Sequence, residues 1–155
     1  HHVYDIKPVL NEVYRVLKSD GLAYFDLDPN KKFWDEVKKI EKNVQEFDPI
    51  VKREIDSVSG TGDRIEQEHG ISAETFHKAE YIKDFVGGID SDEFCAMVRK
   101  VGFREVKPEY YWYLGQGSVI NQQSPEFANE IDKHLQRCLP VSASCYKYLR
   151  FLLIK

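Results

Sequence analysis

Three observations predict a mixed α/β fold. A helical spacing leads into a short apolar run over residues 5–30, a second helix-then-strand unit follows over 90–113, and an apolar run closes the chain. Ile6, Val9, Leu10, Val13, Val16 and Leu17 recur at the i, i+3, i+4, i+7 positions of one helical face. Asp5 stands where an N-cap belongs, and Pro8 lies in the first turn, where a missing N–H does little harm. Lys18 and Gly21 complete the helix end, with Gly21 expected to supply a left-handed residue. Residues 22–27 are then an apolar run too short for a helix, ending in Asp28-Pro29-Asn30. Such a strand predicts a parallel sheet covered on both faces. Ligands of such sheets bind beyond the carboxyl ends of the strands, which directs attention to the corner from Asp26 to Asn30.

Phe33, Val37, Ile40, Val44 and Phe47 repeat at helical spacing after Asn30, an N-cap candidate, until Asp48-Pro49 breaks the run. This helix reads as core-facing and, at the same time, as part of a cover over a site. Ile50, Val51 and Ile55 suggest another short helix, and residues 57–70 read as a polar, glycine-bearing loop. Gly60-Thr61-Gly62-Asp63 has no apolar strand before it and does not read as a phosphate loop. Residues 75–85 form a further helix, ended by Gly87-Gly88. Asp90 and Glu93 have capping-box spacing ahead of Phe94, Met97, Val98 and Val101, and Gly102 stops that helix. A strand over 104–113 carries Tyr110, Tyr111, Trp112 and Tyr113 in succession. These rings read first as an edge-strand cluster against the helices and second as the wall of an apolar pocket able to hold a cationic group. Gly115-Gln116-Gly117 reads as a turn, and Ser124-Pro125 opens a helix with Phe127, Ile131 and Leu135 on one face before Pro140. Residues 145–154 are the last strand.

With 155 residues, 42% of them hydrophobic and 31% charged, the chain has the composition of one soluble globular domain. A net charge of −4 with basic residues dispersed among acidic ones argues against nucleic acid as a partner. No apolar run approaches the roughly 20 residues of a membrane helix, and no signal peptide is visible. Cys95, Cys138 and Cys145 lack metal spacing and point to a reducing, cytoplasmic setting, with Cys95 in the core. His69, His77 and His134 do not converge with His1-His2 in sequence, so no metal site is expected.

His1-His2-Val3-Tyr4-Asp5, the helix end from Leu10 through Glu12, Arg15 and Val16-Leu17-Lys18, then Gly21 and the strand into Asp28-Pro29-Asn30 form one pattern. It resembles the second half of a class I S-adenosylmethionine-dependent methyltransferase of the type 11-like kind. In that family a His pair follows the fourth strand, and an L-x-E-x-x-R-V-L-K-P-G-G helix end leads into the fifth. Ser19-Asp20-Gly21 stands where the family has Pro-Gly-Gly. Asp92 to Phe103, with Phe94, Met97, Val98 and Gly102-Phe103, resembles the helix before the family's sixth strand. The resemblance implies part of a Rossmann-like sheet, carboxyl-terminal strands 5-7-6 with the last strand antiparallel between strands five and six. It also implies flanking helices and a helical lid insertion. Residues 1–155 would be a single domain: helix and strand five over 1–30, lid over 31–89, and core helix with strands six and seven over 90–155. The family's first strand, Gly-rich cofactor loop and the acidic residues after its second and before its fourth strands would precede His1. The resemblance therefore covers about the carboxyl-terminal half of a catalytic domain.

Methyl transfer is an in-line displacement in which the protein positions an acceptor, excludes water and sometimes supplies a base. The resemblance implies S-adenosylmethionine as cofactor with His1 and Tyr4 beside it, His2 as the base, and a small-molecule methyl acceptor. Asp26, Asp28, Asn30, Phe33, Tyr111 and Trp112 are the acceptor-side candidates. The bland reading of the corner competes with this: Asp28 before Pro29 forms a turn and Asn30 caps the next helix. A second hypothesis is a non-catalytic interaction protein that pairs through an exposed sheet edge, as a homodimer through that edge or the lid.

Overall fold

The Asp5 carboxylate accepts the Lys7 N–H at 2.9 Å and starts α1 (Ile6–Val16). The computed structural model describes residues 1–41 and 49–155. The turn after α1 differs from the expectation. Asp20, with φ +58°, takes the left-handed conformation, and Gly21 is needed for another reason: a Cβ there would lie 2.7 Å from the Lys18 carbonyl oxygen.

The strands β1 (Leu22–Pro29), β2 (Glu105–Tyr113) and β3 (Tyr146–Ile154) make a three-stranded sheet in the order β1-β3-β2. Both pairings are antiparallel, with Leu22 opposite Ile154 on one side of β3 and Glu105 opposite Ile154 on the other. The parallel, doubly covered sheet expected from residues 22–27 is therefore not the arrangement found. The reason lies in β1 itself. Ala23 and Phe25 face the core, whereas Leu22 and Tyr24 point the other way and are 55% and 53% exposed. On the core face, α1 and α6 (Ser91–Val101) bring Leu10, Phe94 and Val98 against Leu149, Phe151 and Leu153 of β3. Each such side chain contributes about 1.5–3 kcal/mol on burial. Cys95 is buried in this core as expected, and Asp90 caps α6 by accepting the Asp92 and Glu93 N–H groups.

Residues 31–89 are helical where described: α2 (Lys31–Glu41), α3 (Pro49–Ser59), α4 (Thr61–His69), α5 (Ala73–Ala79) and a π-helical turn at Ile82–Val86. The expected loop over 57–70 is thus mostly the end of α3 and all of α4. Its polar composition marks a solvated helix surface, not a break in structure. Phe33, Trp34 and Val37 of α2 are buried with Ile55 of α3, while Val44, Phe47 and Asp48 lie outside the described residues. Gly115 lies in the expected turn, but Gln116 and Gly117 already belong to the following helix. With φ +82° it precedes α7 (Gln116–Gln122). Ser124 caps α8 (Pro125–Arg137), whose Ala128, Ile131 and Leu135 pack on Tyr113 and Tyr146, while Phe127 turns out to solvent. Among the described residues no helix is long and apolar enough to cross a membrane.

The insertion returns to the sheet at Gly88-Ile89. Ile89 N–H donates to the Pro29 carbonyl at 2.7 Å, and Lys31 N–H donates to the Ile89 carbonyl at 3.0 Å. Gly88 permits this approach: its φ is +104°, and a Cβ would sit 2.8 Å from the Lys31 backbone N and Cα. Gly88→Ala is expected to cost at least about 1–3 kcal/mol from backbone strain before the clash is counted. A urea unfolding midpoint equal to that of the unaltered chain would contradict this role for Gly88.

Candidate functional site

The corner at the end of β1 opens on a cleft between the strand and the insertion. A bulge shapes it: Phe25 pairs with Phe151 and Asp28 with Leu149, so β1 carries one residue more than β3 across that step. Leu27 takes up the extra length with φ +59° and is exposed. Its N–H donates to Asp26 Oδ1 at 2.8 Å and to the Tyr111 hydroxyl at 2.9 Å, which holds a conformation that a branched side chain rarely adopts.

Two connected cavities make up the cleft. One of about 310 Å³ is lined by His1, His2, Leu27, Arg64, Glu80 and Lys147. A larger one of about 700 Å³ is lined by Val37, Gly62, His77, Asp84 and Phe85. Trp34, Phe76 and Lys83 line both. The Lys83 ammonium is largely buried and lies 5.0 Å from the Phe76 ring centroid and 5.7 Å from that of Trp34. It pairs with Glu80 Oε2 at 3.3 Å and Asp84 Oδ1 at 3.6 Å. Two carboxylates and two ring faces offset the desolvation of this cation. Asp84 also meets His77 Nδ1 at 2.6 Å, an arrangement that an ionised carboxylate makes with an Nδ1–H tautomer. Gly62 leaves room for the imidazole, since a Cβ there would lie 2.7 Å from His77 Nε2.

Trp34 is only 7% exposed, and its indole N–H has no hydrogen-bond acceptor among the described residues. A buried donor left unpaired costs about 1–3 kcal/mol. In a residue that lines both cavities, an oxygen of a bound ligand would recover that cost.

Of the residues singled out in the sequence, the structure brings His1 and His2 to this cleft. His1 Nδ1 lies 3.3 Å from Asp28 Oδ1, and His2 Nδ1 lies 2.9 Å from the Ala79 carbonyl. Asp28 is buried behind His1, and that burial pushes its carboxyl above the ordinary range despite the positive groups nearby. Asn30 does not face a ligand. It is 1% exposed, and its amide donates to the Ala143 and Tyr146 carbonyls at 2.8 and 2.7 Å. Its Oδ1 accepts the Lys32 N–H, so the capping expectation is the one realised. Phe33 is core, beside a separate apolar cavity of about 520 Å³. Tyr4 is 73% exposed with its ring edge against Tyr81, and Trp112 is partly exposed with φ +60°; neither lines the cleft.

Asp26 and Tyr111 meet each other instead, away from both cavities. Asp26 accepts from the Tyr111 hydroxyl at 2.6 Å and the Tyr24 hydroxyl at 3.0 Å, and the Arg150 guanidinium lies 4.1 Å from the Tyr111 ring centroid. Partial desolvation would raise the Asp26 carboxyl, but the bonds from Tyr111, Leu27 N–H and Tyr24, with the Arg150 charge, outweigh it and lower it. Burial, then the bond to Asp26, drives the Tyr111 hydroxyl strongly upward. This cluster fastens β1 to β2 across β3 and sets the bulge.

Glu80 and Trp34 were not legible as site residues because His1, His2 and Lys83, which they meet, lie far along the chain, whereas His77, Lys83 and Asp84 pair locally and look like ordinary surface charges. Comparison with protein-family models, curated proteins and solved structures finds no match. A carboxyl-carbon NMR titration is expected to place Asp26 below and Asp28 above the usual aspartate midpoint. The lowered Asp26 value contributes stability above its unfolded midpoint that is lost as pH falls through the folded one, so Asp26→Asn flattens the acid limb of the stability curve. Coincident midpoints for the two residues would contradict the geometry described.

Proposed function

We propose that this chain is the acceptor-binding, carboxyl-terminal half of an S-adenosylmethionine-dependent methyltransferase acting on a small molecule. Support comes from the two sequence stretches that resemble that family, and from a cleft at the carboxyl end of β1 beneath the 31–89 insertion. The last strand lies between the other two and antiparallel to both, an arrangement that suits one side of a Rossmann-like sheet. The observation that carries the reading is the unpartnered indole N–H of Trp34 on the walls of both cavities. Phe76, Val37 and Phe85 offer an apolar body contact around it, and His2 stands at the rim. With Nδ1–H on the Ala79 carbonyl, the other ring nitrogen of His2 is left to take an acceptor proton.

The described residues do not form a cradle for the cofactor itself. Gly60 and Gly62 bracket the start of α4, and Gly62 serves there to admit the His77 ring, not to cradle a phosphate or sulfonium group. Tyr4 lies on the surface. The chain's own contribution is therefore to bind and orient the acceptor and to exclude water.

A non-catalytic interaction protein is the second reading. The exposed Leu22 and Tyr24 of β1 favour it, because an uncovered strand with apolar side chains invites pairing. Calorimetric titration of S-adenosylmethionine and its demethylated product separates the two. Under the enzyme reading, a chain extended upstream by its natural sequence binds one equivalent, and residues 1–155 alone do not. Absence of binding by both, with a dimer in sedimentation, would overturn the enzyme reading and favour pairing.

A further inference from the structure

The corner and the insertion meet at a cluster that joins the His1-His2 pair to a residue far along the chain. His1, His2 and Glu80 each bring one ligand atom to within 4.8 Å of the others. Glu80 Oε1 lies 3.9 Å from His1 Nε2 and 3.6 Å from His2 Nδ1. Ligands bonded at about 2.0–2.2 Å to a tetrahedral ion stand roughly 3.4 Å apart, so the two separations from Glu80, 3.9 and 3.6 Å, are close to that span, and the two imidazoles have to draw together to share an ion.

The surroundings orient His1 and Glu80. His1 turns Nδ1 toward Asp28 Oδ1 at 3.3 Å, which directs Nε2 toward Glu80. A ligating imidazole ordinarily has its second nitrogen held by a carboxylate or a backbone carbonyl in this way. His2 differs, because the Nδ1 nearest Glu80 is also the nitrogen on the Ala79 carbonyl at 2.9 Å, so an ion displaces that bond or takes Nε2 after a turn of the ring. Lys83 holds Glu80 Oε2 at 3.3 Å, so Oε1 is the oxygen that faces the imidazoles. Glu80 and His1 are largely buried, at 14% and 15% side-chain exposure, and His2 is exposed at the rim. The three line the smaller cavity, toward which remaining coordination positions would open.

We propose that His1, His2 and Glu80 bind a divalent transition-metal ion of the zinc or cobalt type, with Asp28 and Lys83 as positioning residues. Two imidazoles and one carboxylate suit such an ion better than magnesium or calcium, which prefer all-oxygen sites. Three protein ligands leave the ion open to an oxygen of a molecule in the cleft, as at catalytic zinc. This site does not depend on the methyl-transfer reading. A metal-bound His2 could not also serve as a proton acceptor, so the ion and that role exclude one another.

The test is titration of Zn²⁺ by calorimetry and of Co²⁺ by visible absorption. Acetylating the amino terminus keeps the α-amine out of the coordination. One equivalent is expected to bind and to raise the melting temperature. Glu80→Gln is expected to weaken binding at least tenfold, and Asp28→Asn about tenfold to a hundredfold. His69→Ala, at an exposed His outside the cluster, should leave it unchanged. Circular dichroism checks that each variant is folded, and the Co²⁺ spectrum of the unaltered chain reads the coordination without any variant. Absence of binding would overturn the proposal and leave the cluster as an ion-paired clasp. Binding that ignores Glu80→Gln, or a purely octahedral Co²⁺ spectrum, would overturn it in favour of simple chelation by adjacent imidazoles.

Discussion

The buried side-chain amide of Asn30 is the constraint on which the rest of this structure depends. It joins two junctions that are distant in sequence: that of β1 with α2, where it stands, and that of the 3₁₀ turn at Val141–Cys145 with β3. Its backbone N–H donates to the Lys147 carbonyl, and it forms a parallel bridge with Ile89, where the insertion returns. A residue with two side-chain donors and one acceptor is required here. Aspartate would remove the side-chain donors to the Ala143 and Tyr146 carbonyls, leaving Ala143 with the Tyr146 N–H, and leucine would also leave the Lys32 N–H without its acceptor. The corner is rigid because these bonds are buried, and that rigidity lets the short stretch from Leu27 to Asn30 serve as the floor of the cleft.

On that floor two sets of charges divide the work. Asp26, on the solvent side of the bulge, ties Tyr24, Tyr111 and Arg150 into a girdle across all three strands. Asp28, on the buried side, faces His1. Neighbours only two residues apart thus carry opposite shifts in acidity, the exposed one lowered by donors and the buried one raised by desolvation. The bulge at Leu27 produces this, because the extra residue turns Asp28 toward the insertion. From there a chain of contacts runs through His1 and Glu80 to Lys83, Asp84 and His77.

Much of the scaffold was legible in the sequence. Caps at Asp5, Asp90 and Ser124 are local chemistry, and each is realised. The spans of α1, α6 and the three strands follow from periodicity, within a residue or two. Strand direction was not legible from residues 22–27, since an apolar run reads alike whether its outer face is covered or bare. Composition points to Gly21 for the left-handed residue after α1, whereas Asp20 takes it and Gly21 answers a close contact. For the site, His1 and His2 were found, but their partner Glu80 sits among unremarkable charges on a helix end. Ion pairs across some 80 residues leave no spacing to read. Asn30 and Phe33 illustrate the opposite failure, since polarity or aromaticity beside a strand end is also what a buried hinge needs.

Amide hydrogen exchange in Asn30→Asp measures the central claim most directly. If this one side chain fastens the corner, Ile89 and the amides of residues 146–147 lose protection together, while Lys32, whose N–H the aspartate oxygen still accepts, and the α1–α6 face of the sheet keep it. Unchanged protection at Ile89 and in β3 would show Asn30 to be an ordinary helix cap, a role aspartate keeps, and would contradict the account.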